Sequence, residues 1–194
     1  TLMRWIHNAA PDATAENPRY AWSAADKEIE TFKSANINIS CNFHLSGSGY
    51  AAPEWALCLP GAPKESYYEI RDRRNPEYKR ISKNLWLDYV KKFVERYHGK
   101  ISKYVIEDEP DYYFRTLEDY VRFYLDTRAV IKNVDRQIPV FFNTFHLNQR
   151  FVDVLGSMTG GHPERFLDGI HCYLSSMHSD MESAKAELPF RAFL

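Results

Sequence analysis

Three consecutive acids, Glu107-Asp108-Glu109, stand between a short apolar run, Tyr104-Val105-Ile106, and Pro110. A β-branched and aromatic run of this kind suits a parallel strand buried on both faces. Proline lacks an N–H, so Pro110 ends the pairing. The strand then delivers Asp108 and Glu109 at its carboxyl end, where α/β barrels and open sheets carry their chemistry. Neighbouring carboxyls there suit acid–base work on a polar substrate. The alternative is a solvated acidic turn, because carboxylates persist wherever water or a partner reaches them.

Polar residues recur at the ends of the other apolar runs: His7 and Asn8, Asn42 and His44, Asn143 and His146, His171 and Tyr173. One histidine near a strand end is ordinarily a hydrogen-bonded structural residue. Five strand ends with polar groups point to a shared mouth, because in a barrel these ends converge. Two chemistries fit. Metal-assisted hydrolysis would use the histidines and carboxylates as ligands, although neither H-x-H on the first strand nor H-E-x-x-H on a helix is present. Glycoside hydrolysis would need a protonated acid beside a second carboxylate. Glu109 suits the acid if its surroundings raise its pKa. Spacing alone leaves both open.

The elements that must position these groups alternate along the chain. Met3 to His7 reads as a strand, and Ser23 with Asp26 as a capping box for a helix whose buried stripe begins at Ile29 and Phe32 and which ends at Asn36. Ile37, Ile39, Cys41 and Phe43 alternate with polar residues, a period-two strand. A loop from Leu45 to about Ser82 is long enough to be functional or to hold small elements of its own. Trp86, Tyr89, Val90, Phe93, Val94 and Tyr97 mark a helix over Lys83 to His98, with Gly99 as its C-terminal cap. After the acidic strand, Thr116 and Asp119 open a helix, Ile138 to Phe145 forms a strand, and a short helix covers Gln149 to Leu155. Leu167 to Tyr173 is a further strand. A helix from Ser179 to Leu188 and the start of one more strand, Pro189 to Leu194, complete the order.

Strict β–α alternation implies a parallel sheet with right-handed crossovers. A doubly wound sheet and a (β/α)8 barrel both fit. No glycine-rich phosphate loop follows the first strand, which disfavours a nucleotide-binding sheet. With 194 residues and no linker or repeat, the chain reads as a single domain over 1–194. Lys plus Arg number 25 against 26 Asp plus Glu, with no basic run, so no nucleic-acid partner is expected. No apolar run reaches membrane-span length, so no membrane partner is expected either. Three cysteines without paired spacing suggest neither a disulfide frame nor a zinc ribbon, and Cys41 and Cys172 read as small core residues.

With these residues in order, the chain resembles the clan of retaining glycoside hydrolases with (β/α)8 barrels that includes families 5, 10, 39 and 42, with family 39 as the nearest cousin. The fourth strand of that clan ends in Asn-Glu-Pro and follows a helix ending in an Arg-Tyr-x-Gly-Lys-like sequence. Here Arg96-Tyr97-His98-Gly99-Lys100 precedes Tyr104 through Pro110. Pro53-Glu54-Trp55-Ala56 resembles a Pro-x-Trp-Ala found after the third strand, and Asp168 through Tyr173 resembles the sixth strand. The resemblance implies Glu109 as general acid/base, Tyr173 as partner of the nucleophile and Arg4 as an arginine that helps hold the site. Trp55, His44, Asn143 and His171 become candidate sugar-site residues, with a packing role as the alternative for Trp55. Two acids suffice for this mechanism, so no cofactor or metal is implied. The substrate would be an oligosaccharide or polysaccharide.

Two departures qualify the resemblance. Asp108 stands where the clan has asparagine, so it can accept from a sugar 2-hydroxyl but not donate as an amide does. On this register the chain supplies strands 2 to 6 and the start of strand 7, an incomplete (β/α)8 TIM barrel whose nucleophilic glutamate would lie beyond Leu194. A parent protein longer than this chain is therefore expected, with secretion or a periplasmic location favoured over the cytoplasm by its relatives. A non-catalytic carbohydrate-binding barrel and a metal-dependent barrel hydrolase are the rivals.

Overall fold

A computed structural model describes residues 2–45, 52–72, 75–107, 110–144 and 149–172. Five parallel strands form one sheet: β1 (Leu2–Arg4), β2 (Ser40–His44), then, after an antiparallel hairpin of β3 (Tyr67–Asp72) and β4 (Asn75–Ser82), β5 (Lys103–Ile106), β6 (Val140–Thr144) and β7 (Gly169–Cys172). Their spatial order, β1-β2-β5-β6-β7, follows the chain without reversal. A doubly wound sheet must reverse at a switch point. The order is therefore that of one arc of a (β/α)8 barrel. The expected helix from Ser179 and strand from Pro189 lie outside the described residues.

The main crossover helices are α3 (Lys83–Arg96) and α5 (Leu117–Val134), with α2 (Ser23–Ser34) and α6 (Gln149–Met158) beside them. Ser82 caps α3 by accepting from the Leu85 N–H, and Thr116 caps α5 by accepting from that of Asp119. Gly99, at φ 72°, turns the chain out of the α3 region where a side chain would be strained. One stripe of α3 (Trp86, Tyr89, Val90, Phe93, Val94) and one of α5 (Tyr120, Val121, Phe123, Tyr124, Ile131) are buried.

The strand residues facing them are Cys41 and Phe43, Tyr104 and Ile106, Val140 and Phe142, all buried. Phe43 stacks on Tyr104 at 5.1 Å and meets Phe93 edge-on at 5.2 Å; Phe142 packs on Tyr120, Tyr124 and Phe151 at 4.5–4.8 Å. Such aromatic pairs add about 0.5–1.5 kcal/mol each beyond the area they bury. Between α3 and α5, Trp86 Nε1 donates to Thr127 Oγ1 at 2.9 Å.

Two local expectations fail. The first strand stops at Arg4, and Trp5–Asn8 forms a helical turn, α1. Trp5 is fully buried, stacked 5.6 Å from Tyr89, and Asn8 Nδ2 donates to the Tyr89 hydroxyl. Tertiary packing overrides the strand-like run, and His7 is left exposed. The Ser23–Asp26 capping box does not form. The α2 cap is Trp22 without a side-chain bond, because Asp26 is held by Arg96 and Tyr97 from the end of α3.

The long loop does hold its own elements. Its hairpin braces α4 (Pro110–Tyr113), directly after the acidic strand: Ile70 bridges Phe114, and Arg71 Nε donates to the Tyr112 carbonyl at 2.6 Å.

Candidate functional site

Side chains on a strand alternate between faces, so the residues between the helix-facing ones occupy the opposite face. Register then aligns them across strands. Arg4 pairs with His44, Asn143 pairs with His171, and the pairs Phe43–Ile106 and Ile106–Phe142 set Glu107 between His44 and Asn143. Arg4, His44, Glu107, Asn143 and His171 therefore form one row across all five strands at their carboxyl ends. One step toward the amino ends the row is Leu2, Asn42, Val105, Phe141 and Gly169. Gly169 is required there: a Cβ would fall 2.8 Å from the Phe141 ring.

Glu107 is the centre of the upper row. It is fully buried, and its φ of 66° lies in the left-handed region that a non-glycine residue occupies at a cost of about 1–3 kcal/mol. The surroundings hold it there on every side. Its N–H donates to the Phe43 carbonyl at 2.8 Å, and its own carbonyl accepts from Asn143 Nδ2 at 2.8 Å. One carboxyl oxygen lies 3.0 Å from His44 Nδ1, and the other accepts from the Leu45 N–H at 3.1 Å. A buried carboxyl is tolerable with a backbone N–H on one oxygen and an imidazole against the other, the second contact lying off the line of a full hydrogen bond. Like Asn143 beside it, Glu107 has no exposed surface.

The neighbours of Glu107 are equally constrained. The Tyr113 ring stands edge-on to His44 at 6.4 Å. The Tyr120 hydroxyl donates to the Ile106 carbonyl and accepts from the Asn143 N–H, tying β5 to β6 just below the row. Asn143 is fully buried, and its Oδ1 has no hydrogen-bond donor among the described residues. His171 is half-buried at the edge of the row. The arrangement presents imidazole and amide groups at a sheet end, a set suited to a hydroxyl-rich ligand.

Four of the expected site residues, Arg4, His44, Asn143 and His171, thus share this row, Arg4 by its backbone position. Trp55 does not: it sits on a 3₁₀ turn, Glu54–Ala56, packed edge-on against Trp5 at 5.4 Å. Asp108, Glu109 and Tyr173 lie outside the described residues. Glu107, Tyr113 and Tyr120 were not singled out from the sequence. Glu107 had a signal, since it follows by two Val105, which lies on the face away from the helices. No three His, Cys, Asp or Glu residues among those described stand close enough to hold a metal ion. An open cavity of about 520 Å³, lined by His98, Ser102, Asp135 and Gln137, lies at the other end of the sheet. It is remote from the row.

No protein-family model matches the sequence, and no curated protein does. Solved structures are similar to it in fold. A psychrophilic glycoside hydrolase family 10 endo-β-1,4-xylanase superposes with a TM-score of 0.50 at 16% identity, over 79% of this chain and 48% of its own. A bacterial Ig-like domain-containing family 10 xylanase from termite gut gives 0.51 at 14% identity, over 80% of this chain and 36% of its own. The chain thus spans less than half the length of either. At these identities the likeness is one of fold, that of a partial (β/α)8 barrel.

Proposed function

We propose that this chain is part of a retaining glycoside hydrolase of the barrel clan named above, acting on a β-linked polysaccharide with xylan as the first candidate. The observation that carries this is the polar row at the carboxyl ends of five parallel strands, followed directly in sequence by Asp108-Glu109-Pro110. The fold shared with two family 10 xylanases supports it and favours the clan over any one family, 39 included.

In this proposal Glu109 gives its proton to the glycosidic oxygen as the bond to the anomeric carbon breaks. A glutamate outside these 194 residues attacks that carbon to form a glycosyl ester, and Tyr173 contacts it. Glu109, now a carboxylate, takes a proton from water, whose oxygen displaces the ester and restores both acids. Asp108 accepts from the sugar 2-hydroxyl, while His44, Asn143 and His171 line the sugar site.

The test is Glu109→Ala in the full-length protein, assayed on xylan and on aryl β-xylosides. Turnover of xylan should fall by about 10²–10⁴-fold, with activity recovered on an activated leaving group in added azide. Undiminished xylan turnover would reject Glu109. A wild type that binds xylo-oligosaccharides yet cleaves none would favour a carbohydrate-binding barrel, to which Asp108 in place of asparagine also points.

A further inference from the structure

Glu107 belongs to neither half of the proposed catalytic pair, yet among the described residues of the row it is held by contacts to both its backbone and its carboxyl. A buried carboxylate set against a histidine is a weak way to gain stability, since apolar residues of similar volume often serve as well. Here it is combined with a left-handed backbone, a feature that concentrates where structure is spent on function. We propose that Glu107 is a positioning residue: its carboxyl holds the His44 ring in one tautomer and orientation at the sugar-facing row, and clamps the start of the loop after β2 to the end of β5. What His44 is positioned toward rests on the glycosidase proposal above.

The chemistry follows from the contacts. A carboxylate 3.0 Å from Nδ1 repels a bare lone pair there, so that nitrogen carries the hydrogen, although the contact lies off the line of a full hydrogen bond. In the neutral ring Nε2 then keeps its lone pair and is an acceptor, as needed to receive a sugar hydroxyl. The second carboxyl oxygen takes the Leu45 N–H, so Glu107 cannot swing away without leaving a buried donor unpaired. The Tyr113 ring stands edge-on to the imidazole at 6.4 Å. Asn143 Nδ2, bonded to the Glu107 carbonyl, fixes the same residue from β6. Side chain and backbone are thus held independently, and β5 ends at a fixed point two residues before Glu109.

Glu107→Gln keeps shape but not charge, and its amide NH₂ would donate to Nδ1, reversing the tautomer. The experiment compares full-length wild type, Glu107→Gln, His44→Asn and the double variant. Imidazole ¹⁵N spectra report the tautomer, and kcat and KM are measured on xylo-oligosaccharides. Wild-type His44 should be protonated at Nδ1 and the Glu107→Gln ring at Nε2. Its kcat should fall by about 10–100-fold, the scale on which small misplacements act, with KM nearly unchanged. The double variant should be no worse than His44→Asn alone. An unchanged tautomer, a kcat equal to wild type, or losses that multiply in the double variant would overturn the inference. Should Glu107→Gln not fold, Glu107→Asp keeps the charge but withdraws it by one methylene; an undiminished kcat there overturns it equally. A wild type that cleaves nothing would reject glycoside hydrolysis, and the spectra would still decide whether Glu107 holds His44.

Discussion

The two ends of the same parallel sheet are built on opposite principles. At the amino end, between α5 and the starts of β6 and β7, Asp168 receives the Val140 N–H at 2.9 Å, Lys132 at 2.7 Å and Arg128 at 3.3 Å. Asp135 likewise accepts from the N–H groups of Gln137 and Ile138. Charges there are paired and partly solvated, and the left-handed non-glycine residue described at that end, Asn36 (φ 56°) in the turn before β2, is of a type that adopts this conformation readily. At the carboxyl end Glu107 is fully buried in a left-handed conformation, and Asn143 Oδ1 has no hydrogen-bond donor among the described residues. The lesson is that one end is arranged for stability and the other tolerates strain, the division expected when barrel chemistry sits at the carboxyl ends of strands.

Substitutions can break this contrast. The largest effect is expected for Glu107→Ala, which strands the His44 ring and the Leu45 N–H in a buried site. Urea unfolding should show a loss of about 3–5 kcal/mol, and a loss below about 1 kcal/mol would mean the pair is dispensable. Next comes Gly169→Ala. Its new methyl would meet the Phe141 ring at 2.8 Å, and a destabilisation of about 1–3 kcal/mol is expected; a neutral result would show that the ring moves aside freely.

At the amino end, Asp168→Asn should cost about 1–2 kcal/mol at pH 7, the discounted value of charge-assisted hydrogen bonds at a partly exposed site. Its pH dependence is specific. Partial burial pushes the Asp168 carboxyl up, but the Lys132, Val140 and Arg128 contacts together outweigh it and hold it below the ordinary carboxylate range. A lowered folded-state pKa means stability that is fully present above the unfolded value of about 3.9 and lost as pH falls through the folded one. The gap between wild type and Asp168→Asn should therefore close below about pH 4. A gap that persists in acid would mean the contribution is not electrostatic. The smallest effect isolates backbone strain: Glu107→Gly, at home with positive φ, should be more stable than Glu107→Ala by about 1 kcal/mol. Equal stabilities in thermal melts would remove the strain from the contrast.

Much of the scaffold was legible because it is local. The alternation of Cys41 and Phe43 with Asn42 and His44, and the stripe from Trp86 to Val94, state their own faces by period. The failures occur where a distant partner intervenes. Trp5 leaves its strand-like run for a nest of Tyr89, Trp55 and Trp86, and Asp26 abandons its cap for Arg96 and Tyr97. The site was half legible. Polar groups at strand ends pointed to His44, Asn143 and His171, but Glu107 passed as the first of three acids because only its neighbours distinguish it.

The sequence by itself determined strand and helix order, the helix-facing core, and the collection of polar residues at strand ends, since these follow from periodicity and turn chemistry within a few residues. Only the tertiary structure decided that the sheet runs in sequential order and that five strands bring Arg4, His44, Glu107, Asn143 and His171 into register. It also decided that Glu107 turns left-handed to bind His44 and Leu45. Register and burial depend on contacts between residues tens of positions apart, and a run of three adjacent carboxyls does not by itself state that Glu107 is fully enclosed.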